Sequence, residues 1–557
     1  MNLRSVLVSG CIFVAVLLLG SGPVVMAQAD VPMPGVASSP EENPTNPDQV
    51  LLGKFLFWEE QMSTDNTMAC GTCHIHEIGG SDPRGVMGTH PGPDGVFGND
   101  DDVAGSPGVV QHDLASSSLV SEPTFFPHVQ ATGRKSPTAI NSGFFDTLFW
   151  DGRASGTFVD PVTGVETIPF GGGLESQAAG PPLSSVEMSA LGETWLHIAS
   201  KIPGVRPMAL ATDLPPEMAD HLGTYPTYPH MFMAAYGDGA VTPERIIFAI
   251  ANYERTLVSD QTPLDEFLKG NTPDLGPWEA GFQIFNTVTG NCVSCHVLPF
   301  TADDNFHNIG VRPDAEDTGR EGHTGDPADR GKFKTPNIRN AALRTPLFHN
   351  GGVETIEELV KFYDDGGAFP GPNLDVEINP LNLTAQQQLD LIDFLKFGVT
   401  DQRVVNREFP FTRPTLRSEM PPTNSTYGVA GVNANGTPME MIAHYPANIG
   451  NPHWLLGVTD ATPNQVMVTS FAFTSDPAGT PLPDRRFPVP MNVVPSSIFL
   501  LLLGATDGTG VGTTKLNLPY NTALVGMSIY SQVFVSDPGA LATGGVYGSE
   551  GVEIGLF

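Results

Sequence analysis

The sequence predicts a mainly α-helical protein that carries a β-rich module at its C-terminal end, and three observations lead to this prediction. Amphipathic stretches with helix-capping signals occur between residues 243 and 398. Two Cys-x-x-Cys-His motifs, Cys70–His74 and Cys292–His296, lie in the first two-thirds of the chain. After about Arg417, short runs of β-branched and aromatic residues alternate with turn residues. The pattern thus changes from helical to strand-forming at this point.

The helices are predicted from periodic apolar residues and from residues that cap helix ends. A helix over Pro243–Val258 begins with proline and has apolar residues on one face. A second helix, over about Ile356–Tyr363, is preceded by a capping box formed by Thr355 and Glu358. A third is predicted over Thr384–Gly398.

The pattern after residue 415 predicts a β-sandwich-like module. Its apolar runs are short and are separated by turn residues, as antiparallel strands require. The module has no cysteine and only two histidines, His444 and His453, so no redox chemistry is assigned to it. The predicted strands are His453–Val458, Gln465–Phe473, Ser497–Leu503, Ala523–Val535 and Gly551–Phe557.

Each Cys-x-x-Cys-His motif is a signature for covalent haem attachment. The two thiols can add to the porphyrin vinyl groups, and the adjacent histidine, His74 or His296, becomes an axial ligand of the iron. The alternatives are a zinc half-site and a redox dithiol. Two complete motifs without further cysteines for a Cys₄ site favour haem, and they predict two cytochrome c-type domains with two covalent haem c groups. The attachment cysteines are Cys70, Cys73, Cys292 and Cys295.

The N-terminal segment has the pattern of a signal peptide. Arg4 precedes an apolar stretch over Ile12–Leu19, and the small residue Ala27 suits cleavage, which would also remove Cys11. Covalent haem and a signal peptide together predict an exported, periplasmic protein, and no later apolar run is long enough to be a transmembrane anchor.

The chain is strongly acidic, with 27 Lys and Arg against 61 Asp and Glu and a net charge of −34. This charge argues against nucleic acid and anionic membranes as partners. It suits a basic electron-carrier protein, and a solvated exported surface explains it equally well.

Composition and motif positions predict the domain boundaries. An acidic stretch rich in Gly, Ser and Asp, Phe97–Pro127, is predicted to be an insertion loop within the first haem domain. The predicted parts are a signal peptide (1–27), a linker rich in Pro, Ser and Asn (28–47), an N-terminal haem domain (48–235), a C-terminal haem domain (236–415) and the β-rich module (416–557).

Seven short blocks accompany the two haem motifs in a fixed order: Leu52–Phe57, Ser136–Thr138, Phe149–Ala154, Gly180–Met188, Phe306–Gly310, Phe333–Asn340 and Thr345–Gly351. Through these blocks, the region from about Asn46 to Arg413 resembles the bacterial di-haem cytochrome c peroxidases and their MauG relatives. The resemblance implies an oxidoreductase that reduces hydrogen peroxide to water. The two electrons would come from a small redox protein, a c-type cytochrome or a cupredoxin.

The resemblance also implies a division of labour between the two haems. The haem on His74 would be the peroxidatic one, and the haem on His296 would transfer electrons. Glu187 stands at the family's position for the carboxylate that moves the peroxide proton. Gln177 and Pro181 match pocket positions of the MauG branch.

Three more residues receive roles from the resemblance. Trp150 stands where the family places an indole between the haems, and an indole can relay an electron as well as pack. His90 falls on the distal histidine of the peroxidase branch, a ligand of the first iron; otherwise it is an ordinary loop histidine. Tyr363 replaces the axial methionine of the second haem, as in the MauG branch, where phenolate favours ferric iron. The alternative for Tyr363 is a core tyrosine.

The family also holds a calcium ion between the haems. Backbone carbonyls at the positions of Arg344 and Pro346 would contribute to that site. The remaining protein ligand, usually an asparagine, falls on Lys135, whose ammonium group is only a donor and repels a cation. The sequence therefore argues against calcium and suggests that Lys135 replaces its charge.

The leading functional prediction is an exported di-haem c-type peroxidase. The first alternative is a MauG-like oxidase, which stores two oxidising equivalents on the haem pair, as high-valent iron, and removes electrons from a protein or organic substrate. The second alternative is a non-catalytic electron-transfer protein whose β module docks a partner.

Overall fold

The structure is a computed structural model that describes residues 35–451, 454–481, 490–539 and 545–557. The predicted signal peptide lies outside the described residues. Within them, no helix is long and apolar enough to cross a bilayer.

The first three-quarters of the chain holds short α-helices joined by long irregular segments. The helices are α1 (Pro47–Phe57), α2 (Cys70–Cys73), α3 (Gly173–Ala178), α4 (Trp195–Lys201), α5 (Pro216–Thr224), α6 (Tyr228–Tyr236), α7 (Pro243–Glu254), α8 (Pro263–Leu268), α9 (Glu279–Phe285), α10 (Glu321–Thr324), α11 (Ile356–Asp365), α12 (Ala385–Asp393) and α13 (Gln402–Val405). A π-helical turn over Phe394–Gly398 continues α12.

The three helices predicted from sequence are confirmed as α7, α11 and α12 with its π-helical turn. Their local signals explain this agreement, because a threonine hydroxyl accepts a backbone N–H at the start of each helix. The same cap begins α4, α6 and α8. The capping threonines are Thr194, Thr227, Thr242, Thr262, Thr355 and Thr384.

The strands are short before residue 417 and longer after it. They are β1 (His112–Asp113), β2 (Ser118–Leu119), β3 (Phe158–Val159), β4 (Glu166–Ile168), β5 (Phe306–His307), β6 (Phe333–Lys334), β7 (Asn424–Tyr427), β8 (Glu440–Ile442), β9 (Trp454–Thr459), β10 (Val466–Ala472), β11 (Ser475–Pro481), β12 (Pro490–Val493), β13 (Ile498–Ala505), β14 (Gly512–Leu516), β15 (Ser528–Ser536) and β16 (Val546–Gly555). A helical region followed by a β-rich module is therefore confirmed, although the helices are shorter than a mainly α-helical protein implies.

The C-terminal module is built from antiparallel sheets. A five-stranded sheet has the order β13-β10-β15-β16-β7, and a three-stranded sheet has the order β14-β9-β8. Apolar residues of both sheets, such as Trp454 on β9 and Phe471 on β10, form one core. The predicted strands correspond to β9, β10, β13, β15 and β16, while His453 lies outside the described residues.

Two apolar clusters organise the haem-motif region. In the first, α1 packs along α7 so closely that a Cβ atom at Gly53 would lie 1.8 Å from the carbonyl oxygen of Ala249. This cluster includes Leu257 and, from the end of the haem-motif region, Val404, Phe411 and Leu416. The second cluster contains residues between Leu264 on α8 and Val399. Helix α7 thus belongs to the first cluster, because its apolar face is buried against α1.

The last residues of the expected linker pack on the first cluster. Asn43 is 1% exposed, and its amide donates hydrogen bonds to Glu175 Oε1 at 2.6 Å and to the carbonyl of Phe248 at 3.1 Å. A composition rich in Pro, Ser and Asn predicted a linker, but these long-range hydrogen bonds make the described part of it a piece of the domain.

The predicted insertion loop, Phe97–Pro127, is ordered by the β module. Its hairpin β1–β2 lies beside β14, where the Leu119 N–H donates to the Thr513 hydroxyl at 2.9 Å. Val110 and Leu119 belong to the core of the module.

Candidate functional site

Both Cys-x-x-Cys-His motifs open onto one cavity of about 910 Å³. Residues of both apolar clusters line it, so the cavity joins the two halves of the haem-motif region. The attachment residues at its wall are Cys70, Cys73, His74, Cys292, Cys295 and His296.

The two motif histidines are prepared in the same way to bind iron. His74 Nδ1 lies 3.1 Å from the carbonyl oxygen of Gly80, and His296 Nδ1 lies 2.9 Å from that of Thr301. A carbonyl only accepts, so each ring donates its Nδ1–H and keeps the Nε2 lone pair for a metal. Burial lowers the pKa of both rings, which favours the neutral form that a metal requires. These residues therefore fit a haem at each motif.

The residues predicted for the first pocket meet on the cavity wall near His74. Glu187, Gln177 and Pro181 all line the cavity, with Gln177 on α3 and Pro181 on the turn that follows it. Burial raises the pKa of the Glu187 carboxyl, while the Ser184 hydroxyl opposes this shift. A carboxyl with a raised pKa is suited both to accept and to return a proton.

Trp150 connects the two halves of the site through its backbone and its side chain. Its indole N–H donates to the Lys135 carbonyl at 2.8 Å, and its carbonyl accepts from the Lys334 N–H at 2.8 Å. The ring lines the cavity and lies 6.4 Å from the ring of His349. This position suits an electron relay, and the hydrogen bonds also fix the indole as a packed residue.

His90 lines the cavity, but its hydrogen bond opposes direct ligation in this conformation. The Gly92 N–H donates to His90 Nδ1 at 3.1 Å. A neutral ring that accepts at Nδ1 carries its proton on Nε2, which then has no lone pair for iron. Ligation by His90 through Nε2 would require this hydrogen bond to break.

Tyr363 lies on α11 and lines the cavity close to the second motif. Burial raises the pKa of its phenol, and the neighbouring Cys292 and Cys295 add to the shift. The residue is therefore a neutral phenol until a cation lies next to it, and a bound ferric ion would favour the phenolate. Its position thus fits a ligand of a haem held by His296.

The proposed calcium position does not fit a metal cation. Lys135 is 4% exposed, and its ammonium group donates to the Ser81 hydroxyl at 3.1 Å. Burial lowers the pKa of Lys135 to about 8. The buried Arg344 side chain donates to the carbonyl of Arg339 at 3.2 Å and to that of Asn337. A buried amine thus stands at the expected side-chain ligand position, and the neighbouring Arg344 adds a second buried positive charge that disfavours a calcium ion.

Sequence reasoning missed three groups that the structure places at the cavity. The Arg153 guanidinium lies 3.7 Å from the centre of the Phe149 ring, beside the first pocket. The buried His349 ring stacks on Phe333 at 3.5 Å, and burial lowers its pKa to about 3. Both pairs, Arg153 with Phe149 and His349 with Phe333, lie inside the blocks on which the family resemblance is based. Their place in those blocks is the sequence signal that could have identified them.

The third missed group is His307, also inside a quoted block. Its Nδ1 lies 2.6 Å from Asp375 Oδ2, and its Nε2 lies 2.8 Å from Asp303 Oδ2. The hydrogen bond to Asp303 is the main reason why the pKa of His307 rises to about 11. The two carboxylates therefore hold this ring beside Cys295.

These features define a candidate di-haem c-type site, and comparison with known proteins agrees. Residues 47–273 match the family model described as di-haem cytochrome c peroxidase. The match includes the first motif, Trp150 and Glu187. The resemblance to the di-haem cytochrome c peroxidase and MauG family is therefore confirmed.

Individual relatives come from both branches of this family. The chain is 26% identical over 367 residues to the methylamine utilization protein MauG of Methylophilus methylotrophus. This alignment covers 65% of this chain and 86% of that protein. It is 27% identical over 398 residues to the cytochrome-c peroxidase IdrP1 of Denitromonas iodatirespirans. That alignment covers 66% of this chain and 85% of that protein. The crystal structure of a MauG-like protein associated with microbial copper homeostasis aligns with 69% of this chain and 97% of its own, with a TM-score of 0.49 and 24% identity.

Proposed function

We propose that this chain is an exported di-haem c-type peroxidase that reduces hydrogen peroxide to water with electrons from a small redox protein. One observation carries the proposal. Two haem-attachment motifs with prepared histidines and a carboxyl of raised pKa face one cavity. The two haem c groups would supply the redox chemistry when they are bound.

The protein's own groups have distinct tasks in this reaction. His74 would hold the first haem iron through Nε2, and its Nδ1–H bond to the Gly80 carbonyl sets the ring orientation. Glu187 accepts the proton from the near oxygen of the peroxide and returns it to the far oxygen, so that water can leave. Hydrogen peroxide then takes up two electrons and two protons in total and yields two waters. Gln177 and Pro181 shape the pocket around it.

Electrons would enter at the second half and cross near Trp150. The second haem would be held by His296 and Tyr363. The acidic surface, with a net charge of −34, favours a basic donor such as a c-type cytochrome or a cupredoxin. In the proposed arrangement no calcium ion is held between the haems, because Lys135 occupies the ligand position.

The domain assignment is part of the proposal. The signal peptide covers residues 1–27, and its removal leaves a periplasmic protein. The N-terminal haem domain covers residues 48–235, and the C-terminal haem domain covers residues 236–415. The β-rich module covers residues 416–557.

A MauG-like oxidase is the second candidate, and Tyr363 is the observation that favours it. A phenolate donor lowers the reduction potential of its haem, so reduction by an ordinary high-potential donor becomes difficult. Oxidising equivalents would instead be shared across Trp150 and passed to a protein or organic substrate.

The test uses the haem-loaded protein, hydrogen peroxide and reduced small c-type cytochromes or cupredoxins. Oxidation of two donor molecules per peroxide supports the peroxidase. Rapid reaction with peroxide without donor turnover supports the oxidase. Failure to react with peroxide at all would contradict both and leave an electron-transfer protein.

A further inference from the structure

The β module reaches the first haem region through residues 90–133, which we call the distal loop. At the tip of this loop, the hairpin β1–β2 lies beside β14, and the Leu119 N–H donates to the Thr513 hydroxyl at 2.9 Å. Val110 is 1% exposed and Leu119 3% exposed, and both belong to the core of the module. The loop is therefore anchored by burial as well as by a hydrogen bond.

The anchor depends on a glycine in the module. A Cβ atom at Gly457 on β9 would lie 2.2 Å from Leu119 Cδ1, so the leucine side chain packs against the backbone of Gly457. A branched side chain at this position would push the tip of the distal loop away from the module.

The base of the distal loop holds the backbone just before Glu187. The Val109 N–H donates to the Val186 carbonyl at 3.1 Å, and the Gln130 side-chain amide donates to the Ser185 carbonyl at 2.7 Å. Both carbonyls belong to the two residues that precede Glu187 in the chain. The loop therefore determines where the Glu187 backbone lies.

One short segment links the module to this carboxylate. Val109 is buried in the first apolar cluster, while its neighbour Val110 is buried in the core of the module. Beside them, a Cβ atom at Gly108 would lie 1.8 Å from the Val186 carbonyl oxygen. Because these contacts are close, a displacement of Val110 shifts the Val186 backbone.

The segment of the distal loop that follows the hairpin makes a second contact with the module. Phe126 packs against the module core, and the adjacent Phe125 has its ring 5.5 Å from the ring of His90. Both Phe125 and His90 line the haem cavity. The module thus contacts the distal loop both at its hairpin and at the segment that returns to the haem region.

We propose that the β module is a buttress for the first haem pocket, with Val109 and Gln130 as positioning residues for Glu187. The proposal rests on the proposed function, because it assigns Glu187 the peroxide proton. It gives the module a role within the enzyme and requires no external partner.

The test compares haem-loaded full-length variants in their reaction with hydrogen peroxide as a function of pH. Gly457→Val should slow the reaction at least tenfold and shift its acid limb, because Glu187 moves. Val493→Ala, in a buried cluster on another part of the module, should stay within twofold of the wild type.

A second pair keeps the test decisive if Gly457→Val does not fold. Val110→Ala and Val493→Ala make the same change at residues that are 1% and 0% exposed. Only Val110→Ala should slow the peroxide reaction and shift its pH dependence. Equal rates in the two variants would overturn the buttress, provided that the wild type reacts with peroxide. A wild type that does not react would instead overturn the proposed function.

Discussion

His74 and His296 are held alike, each by an Nδ1–H donated to a backbone carbonyl, whereas the walls that face them differ. The wall near His74 carries the carboxyl of Glu187 and the amide of Gln177. The lining near the second motif carries Tyr363, aliphatic side chains and the exposed carboxylate of Glu377, which accepts from the Asn291 amide at 2.6 Å. These aliphatic residues are Leu359, Val360, Leu381, Leu391 and Leu395.

This contrast separates two questions that a Cys-x-x-Cys-His motif does not distinguish. The motif and its histidine determine where a haem is attached. The opposite wall determines what the iron can do, because a proton-transfer group allows reaction with peroxide, whereas a phenolate closes the site and lowers the potential. Variants of the two walls therefore test the contrast directly.

The largest expected effect comes from removing one haem. The double variant Cys70→Ala with Cys73→Ala should lose the mass of one haem and all rapid reaction with peroxide, because Glu187, the carboxyl assigned the peroxide proton, serves the first haem. The matched variant Cys292→Ala with Cys295→Ala should also lose one haem but still react with peroxide. Intact mass and stopped-flow absorption measure both outcomes. A single haem in the wild type would contradict the assignment.

Glu187→Gln should leave both haem spectra nearly unchanged and slow the reaction with peroxide by about 10²–10⁴-fold. The amide keeps the shape of the side chain but cannot accept the peroxide proton. Glu166→Gln is the control, since this carboxylate is exposed on β4. A change of less than threefold or so in Glu187→Gln would remove this residue from the mechanism.

Tyr363→Met should raise the potential of one haem and increase donor-dependent peroxide turnover. Thioether ligation favours ferrous iron, whereas phenolate favours ferric iron. Potentiometric titration with absorption detection measures the shift, and Tyr363→Phe separates the loss of the phenolate from the gain of a thioether. If neither variant changes either potential, Tyr363 is a packed core residue.

The pH dependence of the peroxide reaction should show the raised pKa of Glu187. The deprotonated carboxylate accepts the peroxide proton, so the rate rises as pH rises through this pKa. Since burial raises it, the inflection lies above the usual glutamate value of about 4.3. Glu187→Gln should lack the inflection, and its persistence there would assign it to another group.

The smallest effect is expected from calcium removal. Because Lys135 stands at the expected side-chain ligand position and Arg344 adds a buried positive charge, treatment with a chelator should change the peroxide rate by less than twofold, and elemental analysis should find no tightly held calcium. Lys135→Asn should instead create a calcium-dependent spectrum or rate, since it restores an oxygen ligand. Stoichiometric calcium in the wild type would show that the lysine does not replace the ion.

Local signals predicted much of this structure. A starting proline and apolar periodicity located α7, the capping box of Thr355 and Glu358 located α11, and the spacing of the cysteines predicted both attachment sites. Glu187 and Tyr363 were found only through the resemblance, because no local pattern marks a loop carboxylate or a helical tyrosine as part of a pocket.

The remaining features depend on contacts between distant segments. The apolar face of α7 could pack on either side, and only its fit against Gly53 of α1 shows that it joins the first cluster. The acidic composition of Phe97–Pro127 predicted a loop, but it could not show that Leu119 rests on Gly457. Likewise, the hydrogen bond from Trp150 to the Lys135 carbonyl joins two separate segments, and no sequence periodicity could show that these segments lie together.

The central claim is that two equally attached haems have chemically different opposite walls. Electron paramagnetic resonance of the resting, haem-loaded protein tests it most directly, with wild type and Tyr363→Phe side by side. The account predicts two distinct ferric signals in the wild type, of which only the signal of the haem on His296 changes in the variant. Two identical signals, or a variant spectrum that matches the wild type, would contradict it.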